Sequence, residues 1–291
     1  LMHIRTASGL ALKNALVARE ARRAQDYADR WTALSAEARD QVKSKVLMTL
    51  SSSEPRAGTV AAQVTAAIAA IELPRGMWPD LVSQLLAAIG DLHNPCQRQA
   101  ALQAIGFTCE VVDPAVLAAQ SNEILTAVIQ GARKEETSPE VQLAALRALL
   151  NSLEFVRLNF EREGERNFIM QVVCEATQSP HVAVKVAAFE NLVRIMQLYY
   201  DKMRFYMEQA LFGLTVLGMR DPEPHVALQA VEFWSTVCDE EIELSLEAAE
   251  ALEFNEEPAH VSYHFAQIAL PEIAPVLMEL LALQDEDTDE D

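Results

Sequence analysis

The residues with the clearest potential for chemistry are two histidines, His260 and His264, in the stretch HVSYH. Four residues apart, they would lie on one face of an α-helix, which is the spacing of zinc-binding metalloprotease helices. Those helices need the order HExxH, and no Glu follows His260. We therefore expect an exposed histidine pair and no metal site.

Other catalytic patterns are missing from the sequence. There is no glycine-rich phosphate loop, no GxSxG motif and no convergent carboxylate pair. With nine glycines in 291 residues, tight catalytic turns are scarce. The cysteines (Cys96, Cys109, Cys174 and Cys238) form no CxxC pair, which favours small core residues in a reducing compartment. We expect no cofactor and no enzymatic activity.

The composition restricts the class of partner. The chain is 51% apolar and carries a formal charge of −20, so nucleic acids and anionic membranes are poor partners and basic proteins are better ones. No apolar run approaches the ~20 residues of a membrane span, and the start of the sequence has no signal-peptide pattern.

The elements that must position any site are helices in a repeat. The segments QRQAALQAIG, VQLAALRALL, VKVAAFENLV and VALQAVEFWS start at 97, 141, 184 and 226, so the starts differ by 44, 43 and 42 residues. Each follows a turn that contains Pro, and another amphipathic helix precedes each turn. Each also carries small residues at its centre, which allow close helix packing: Ala100, Ala101, Ala144, Ala145, Ala187, Ala188 and Ala230. This A helix, turn and B helix unit is typical of HEAT arrays.

The repeat predicts an all-α fold, a right-handed α-solenoid of HEAT repeats in which antiparallel A/B helix pairs stack. We expect one solenoid segment over 1–291 with about six to seven repeats. Earlier helices are expected near 36–51 and 56–72, and a final A helix near 271–284. The sequence begins inside an apolar helical pattern and stops in an acidic run, so we expect truncation at both ends and an acidic loop or tail over 285–291.

The A helix that starts SNEILTAVIQ carries two apolar stripes. Ser121 is expected to be its N-cap. Ile124 and Val128 form one stripe, and Leu125 and Ile129 form a second beside it. A helix on one core needs about a third of its circumference apolar. The second stripe is explained either by stacking against neighbouring A helices or by a groove for a partner, and periodicity leaves both explanations open.

Several sequence segments resemble those of the importin-β family of nuclear import receptors. They are SNEILTAVIQGARKEE, SLEF (152–155), RNFIMQVVCEATQ, ENLVRIMQLYY, YMEQALF, VEFWSTVCDEE, GLALKNAL and AAIELPRGMWPDL (69–81). The resemblance runs in order through nearly the whole chain. It implies a segment from the N-terminal part of such a receptor.

The resemblance also implies partners and sites. Family members bind FxFG nucleoporins weakly, with a Phe side chain seated between adjacent outer A helices. The matching positions are Leu125, Thr126, Ile129, Glu165, Phe168 and Ile169 for one groove, with Leu125 and Ile129 left partly open. A second groove is expected from Phe168, Tyr206 and Leu214.

RanGTP is the second partner that the resemblance implies, through an acidic surface. The matching positions are Glu232, Asp239, Asp285, Glu286, Asp287, Asp289, Glu290 and Asp291. Importin-α or basic cargo is expected to bind mainly through repeats outside this segment. The implied location is the cytoplasm, the nucleus and the nuclear pore.

A second interpretation needs no family. A generic HEAT scaffold could hold a basic protein on an acidic concave face. It predicts strongly salt-sensitive binding, because exposed ion pairs are screened, and no recognition of Phe-Gly repeats.

Overall fold

The computed structural model describes residues 2–282, which form α-helices and no β-strand. The all-α fold class predicted from the repeat is confirmed. The helices are α1 Met2–Asn14, α2 Ala21–Thr32, α3 Ala36–Leu50, α4 Pro55–Glu72, α5 Leu81–Ile89, α6 Pro95–Val111, α7 Pro114–Leu117, α8 Ser121–Ala132, α9 Pro139–Ser152, α10 Arg157–Glu161, α11 Glu163–Ala176, α12 Val182–Tyr199, α13 Arg204–Tyr206, α14 Phe212–Met219, α15 Pro224–Glu253 and α16 Phe265–Leu281. A π-helical turn, Met207–Leu211, joins α13 to α14.

The helices pack in pairs within two compact units, whose boundary lies between Ala176 and Thr177. In unit 1, which ends at Ala176, α3 packs on α4, α5 on α6 and α8 on α9, while α4, α6 and α9 lie side by side. In unit 2, which starts at Thr177, α15 packs against α12, α14 and α16. Each unit therefore has the A/B pairs and the row of B helices that a HEAT array requires.

The predicted turns start the B helices. Proline is the first residue of α4, α6, α9 and α15, a position where its missing N–H costs nothing. The turn also supplies N-caps. Asn94 Oδ1 accepts a hydrogen bond from the Gln97 N–H at 3.1 Å, and Ser138 Oγ accepts one from the Val141 N–H at 3.3 Å. The local sequence thus fixes where each B helix begins.

Small residues allow the B helices to approach closely, as predicted. The central alanines of the repeats are all buried: Ala100, Ala101, Ala144, Ala145, Ala187, Ala188 and Ala230. Gly106 on α6 shows a close backbone approach, because an added Cβ atom there would lie 3.0 Å from Ala148 Cα on α9. A side chain at position 106 would therefore push α6 and α9 apart.

Buried cations join successive repeats within each unit. On α6, Arg98 Nε donates to the Ile89 carbonyl at 3.1 Å, and its Nη2 lies 2.6 Å from Glu136 in the next turn. In unit 2, Lys185 on α12 pairs with Asp221. Burial alone would raise the pKa of Asp221, but the hydrogen bond and charge of Lys185 and the Glu223 N–H together outweigh it, and the pKa is lowered. Each pair ties a B helix to the following turn.

A buried carboxylate holds the first helices of unit 1 together. Glu72, at the end of α4, accepts hydrogen bonds from Trp31 Nε1 at 3.0 Å, Arg39 Nη1 at 3.3 Å and Lys43 Nζ at 2.9 Å. The Glu72 side chain is 0% exposed. Burial lowers the pKa of Lys43, but hydrogen bonds to Glu72 and Asp40 outweigh it and raise the pKa. Lys43 therefore stays charged at neutral pH.

One helical segment corrects the prediction that no apolar run approaches the length of a membrane span. Pro55–Arg75 is long and apolar enough to cross a membrane by length and composition alone. However, 72% of its apolar window is buried, because α4 packs against α1, α3 and α6. That environment is typical of the core helix of a helical stack.

The last helix begins earlier than the predicted residue 271. It starts at Phe265 and contains Pro271 and Pro275 in its interior. The prediction put a proline near the helix start, where it is best tolerated. The actual start is stabilised from another helix, because the Glu241 carboxylate accepts hydrogen bonds from the Phe265 N–H at 2.5 Å and the Ala266 N–H at 3.1 Å. The predicted end near 284 lies outside the described residues.

The histidine pair does not lie on a helix. His260 is in the connection between α15 and α16, and His264 precedes α16 with a left-handed backbone, φ 56°. Both side chains are exposed, as expected. Among residues 2–282 no group of three or more His, Cys, Asp or Glu side chains could hold a metal ion. Of the cysteines, Cys109 is buried, which raises its pKa to about 12, and the other three are half-buried.

Candidate functional site

The structure brings six predicted residues together on two neighbouring helices of unit 1. Leu125, Thr126 and Ile129 lie on α8, and Glu165, Phe168 and Ile169 lie on α11. The helices α8 and α11 are in contact. We call the surface formed by these six residues the α8–α11 groove.

The floor of the α8–α11 groove is more closed than the sequence predicted. Leu125 is 6% exposed and Ile129 is 3% exposed, so the expectation that they stay partly open is wrong. The reason is packing: α8 contacts α5, α9 and α11, and its second stripe is covered by this stacking. Ile169, on the α11 side, is buried as well.

The rim of the α8–α11 groove is exposed and amphipathic. Phe168 keeps 45% of its surface exposed. Thr126 is exposed, and its hydroxyl donates to the Asn122 carbonyl at 2.7 Å. Glu165 is half-buried. An apolar side chain from a partner could therefore pack on Phe168.

A polar cluster closes the end of the groove where both helices begin. Asn159, on α10, donates to Asn122 Oδ1 at 2.8 Å and to Glu165 Oε2 at 2.6 Å. Arg162 donates to the other Glu165 oxygen at 2.8 Å. The hydrogen bonds from Arg162 and then Asn159 lower the pKa of Glu165. Ser121 is not the N-cap: Gln120 holds that position, and the Ser121 hydroxyl donates to the Ala118 carbonyl.

An ion pair closes the opposite end. Lys134, just after α8, lies 3.0 Å from Glu175 near the end of α11. Gln171 Nε2 also donates to Glu175, at 3.0 Å. The hydrogen bonds from Gln171 and Lys134 lower the pKa of Glu175. The α8–α11 groove is thus bounded by polar contacts at both ends.

The residues predicted for a second groove are divided between the units. Tyr206 is buried and Leu214 is half-buried, and both lie in unit 2. The π-helical turn separates them along the chain. Phe168 belongs to unit 1, so the groove that combines these three residues stays a prediction.

The predicted acidic surface is described in part. Glu232 and Asp239 lie seven residues apart on α15 and are both exposed. Beside them, burial and the charges of Glu243 and Asp239 raise the pKa of Glu240, so acidic groups here repel one another. The remaining predicted positions, Asp285, Glu286, Asp287, Asp289, Glu290 and Asp291, lie outside the described residues.

Comparison with known proteins gives strong similarity along the whole chain. Importin subunit beta-1 of Schizosaccharomyces pombe is 58% identical over 289 residues, which is 99% of this chain and 34% of that protein. A crystal structure of importin beta matches with a TM-score of 0.92 and 51% identity, over 99% of this chain and 34% of that one. This chain belongs to the importin-β family. No family model matches it.

The importin-β segment spans about a third of the length of the relatives it matches. Two further similar structures contain Kap95p, the yeast importin-beta. One is the Kap95:Nup1 complex, with a TM-score of 0.84 and 46% identity over 98% of this chain and 33% of that one. The other concerns Kap95p binding to RanGDP, whose switch loops then adopt the GTP-bound conformation; its TM-score is 0.87 at 45% identity, with coverage of 98% and 33%.

Sequence reasoning missed the buried polar residues of the importin-β segment. Asn159 and Glu241 each bridge separate helices, yet neither belongs to a periodic pattern. Glu241 accepts from Tyr200 Oη at 2.6 Å as well as from α16, and Tyr200 Oη accepts from the Tyr263 N–H at 2.9 Å. Tyr263 and Phe212 are among the residues that line a cavity of about 590 Å³. Asn159 stands between Leu158 and Phe160, and this isolated polar residue is a signal in the sequence, whereas Glu241 lies within the acidic run DEEIE and gives none.

Proposed function

We propose that this segment serves a nuclear transport receptor, binding Phe-Gly repeat nucleoporins on its outer A helices and contributing to RanGTP binding during protein import. The receptor would pass between cytoplasm and nucleus through the nuclear pore and catalyse no reaction. The observation that carries the proposal is the similarity to Kap95 in its complex with Nup1, over 98% of this chain.

The α8–α11 groove supports weak binding of Phe-Gly repeats. Burial of a Phe side chain gains roughly 2–3 kcal/mol, and a disordered repeat must be ordered to dock. Because Leu125 and Ile129 are already covered, the available surface is centred on Phe168. Each single contact is then weak, and a longer bound time comes from the many repeats carried on one disordered chain. Weak single contacts suit rapid passage.

Phe168 is the residue with which to test the groove. We expect Phe168→Ala to weaken binding of an FxFG peptide about tenfold, because the exposed ring is the main apolar surface left on the rim. Fluorescence anisotropy of a labelled peptide measures the affinity. Ile129 is less suitable, since it is 3% exposed and a polar substitution would disturb helix packing.

The matched control is Phe254→Ala. Phe254 is 75% exposed at the end of α15, so the same substitution removes an exposed ring far along the chain from α8 and α11. The control should bind as the parent does. If Phe168→Ala binds the peptide with the same affinity as the parent, the α8–α11 groove is not the binding site.

The acidic surface supports a basic partner, for which we propose the basic face of RanGTP. Residues 221–291 contain 20 Asp and Glu side chains and no Lys or Arg, so they carry the whole formal charge of −20. Glu232 and Asp239 present part of this charge on α15. The similarity to Kap95p bound to RanGDP supports this assignment. We expect binding of importin-α or basic cargo by this segment alone to be weak.

Neutralising the acidic side chains Glu232 and Asp239 should weaken binding of one proposed partner and leave binding of the other unchanged. We expect the double variant Glu232→Gln/Asp239→Asn to bind RanGTP about three- to tenfold more weakly at low salt, because rim charges contribute modestly and are screened. The FxFG affinity should not change. Surface plasmon resonance at two salt concentrations measures both, with Glu20→Gln/Glu37→Gln, two exposed acids of unit 1, as the control. Salt-sensitive capture of many basic proteins without FxFG binding would favour the generic scaffold instead.

A further inference from the structure

The short helix α10 places one buried amide between α8 and α11. Asn159 is 3% exposed, and its Nδ2 donates to Asn122 Oδ1 at 2.8 Å and to Glu165 Oε2 at 2.6 Å. Asn122 belongs to the first turn of α8 and Glu165 to the first turn of α11. A single side chain therefore joins the starts of the two helices that form the groove.

The position of Asn159 is set by its neighbours in the chain and not by its partners. Val156 and Phe160, on either side, are each 0% exposed. The Phe160 carbonyl accepts a hydrogen bond from Arg166 on α11. Because these groups anchor α10 in unit 1, the Asn159 amide is a fixed point to which Asn122 and Glu165 are attached.

The far end of the same helix pair has its own link, Lys134 to Glu175. That pair is more exposed, with side chains 60% and 27% accessible, and an exposed ion pair adds little. Between the two ends lie Phe168 and the covered floor of the groove. The link at Asn159 has a donor that is 3% exposed, although its acceptors Asn122 and Glu165 are accessible; on the burial of that donor we take it as the stronger of the two constraints on helix spacing.

We propose that Asn159 is a positioning residue for the α8–α11 groove: by holding Asn122 and Glu165 on one buried amide, it sets the helix spacing on which docking of a Phe side chain depends. This inference rests on the proposed binding of Phe-Gly repeats. Asn159 itself is not expected to touch the peptide, because it is buried.

The same amide also controls the charge state of Glu165. Arg162 and Asn159 both donate hydrogen bonds to this carboxylate. The group that faces it from α8 is the neutral side-chain amide of Asn122, which is itself bonded to Asn159. Hydrogen bonds from Arg162 and Asn159 hold the pKa of Glu165 below its ordinary value. The hydrogen bond between Asn159 and Glu165 is therefore fully formed at pH values above the ordinary pKa of a Glu side chain. It is lost as the pH falls through the lowered pKa of Glu165. In Asn159→Ala the link is absent at every pH, so protonation of Glu165 no longer changes the spacing of α8 and α11.

The test measures FxFG peptide affinity of the 291-residue chain across pH 4 to 8 for the parent, Asn159→Ala and Asn122→Ala. We expect Asn159→Ala to bind about three- to tenfold more weakly at neutral pH, since a buried hydrogen-bonded bridge is removed. The acidic fall in affinity that protonation of Glu165 causes in the parent should be absent from its profile, because the hydrogen bond that protonation would break is already gone. Asn122→Ala removes only the exposed α8 acceptor, and we expect a smaller loss with the acidic fall in affinity retained.

The outcomes separate a positioning role from a structural one. Circular dichroism and the unfolding temperature are measured on the same samples, because partial loss of folding would weaken binding at every pH and leave the acidic fall in affinity in place. If Asn159→Ala does not fold, unchanged affinity in Asn122→Ala overturns the proposal. It is also overturned if Asn159→Ala folds and binds as the parent. If the parent itself binds no FxFG peptide, the proposed function fails first.

Discussion

Glu72→Ala is expected to destabilise unit 1 by about 3–5 kcal/mol, which is the cost of removing one partner from a buried charge pair. The substitution removes the acceptor of three hydrogen bonds, from Trp31, Arg39 and Lys43. Lys43 is 7% exposed, so its ammonium would keep only the Asp40 ion pair and the Trp78 ring beside it. A loss of this size is a large part of the stability of an ordinary domain.

Hydrogen exchange is the suitable measurement for Glu72→Ala, because it reports each unit separately. Amides of α2, α3 and α4 should lose protection, and those of unit 2 should not. Glu37→Ala serves as the control, since Glu37 is exposed in the first turn of α3. Glu72→Gln should be intermediate, because it keeps one acceptor oxygen and loses the charge. Protection unchanged in Glu72→Ala would show that the pair is dispensable.

Glu241→Ala is expected to release the start of α16, with a loss of about 2–4 kcal/mol in unit 2 from unsatisfied buried donors. Its carboxylate accepts from Tyr200 Oη, the Phe265 N–H and the Ala266 N–H. The first amides of a helix have no partner within the helix. Burial and the hydrogen bond to Glu241 raise the pKa of Tyr200, so this hydroxyl stays a donor throughout the neutral range.

Exchange of the α16 amides measures the effect of Glu241→Ala. Glu243→Ala, two residues further along α15 and exposed, is the matched control. Tyr200→Phe should cost about 1–3 kcal/mol, since it removes the hydrogen bonds to Glu241 and from the Tyr263 N–H and keeps the ring. The ring stacks on Tyr263 with centroids 5.7 Å apart. If α16 exchanges alike in Glu241→Ala and Glu243→Ala, the helix is held by packing and not by its cap.

Periodicity and turn chemistry were sufficient for most of the fold. Each B helix is marked in the sequence by a turn that contains proline, an apolar stripe and central small residues; α4, α6, α9 and α15 begin at a proline, and α12 begins two residues after Pro180. This works because helix starts and helix faces are set by residues close in sequence. The start of α16 escaped prediction because Glu241, its cap, is 24 residues away.

The groove was only partly predictable for the same reason. Phe168, Ile169, Leu125 and Ile129 were correctly placed on neighbouring helices, but the burial of Leu125 and Ile129 depends on how closely α5, α9 and α11 approach α8. Periodicity gives the direction of a side chain and not the distance to the next helix. Single buried polar residues such as Asn159 leave no periodic trace.

The absence of any basic side chain after Arg220 has a kinetic consequence. A one-signed field raises the frequency of productive encounters with an oppositely charged molecule, and association rates respond to it over several decades. The field reaches only about 8–10 Å at physiological ionic strength. Capture of a basic partner would therefore be fast and governed by ionic strength, whereas arrival of an uncharged Phe-Gly segment at α8 and α11 would be governed by its local concentration. Two partner classes would then be distinguished by their rates of arrival as well as by their affinities.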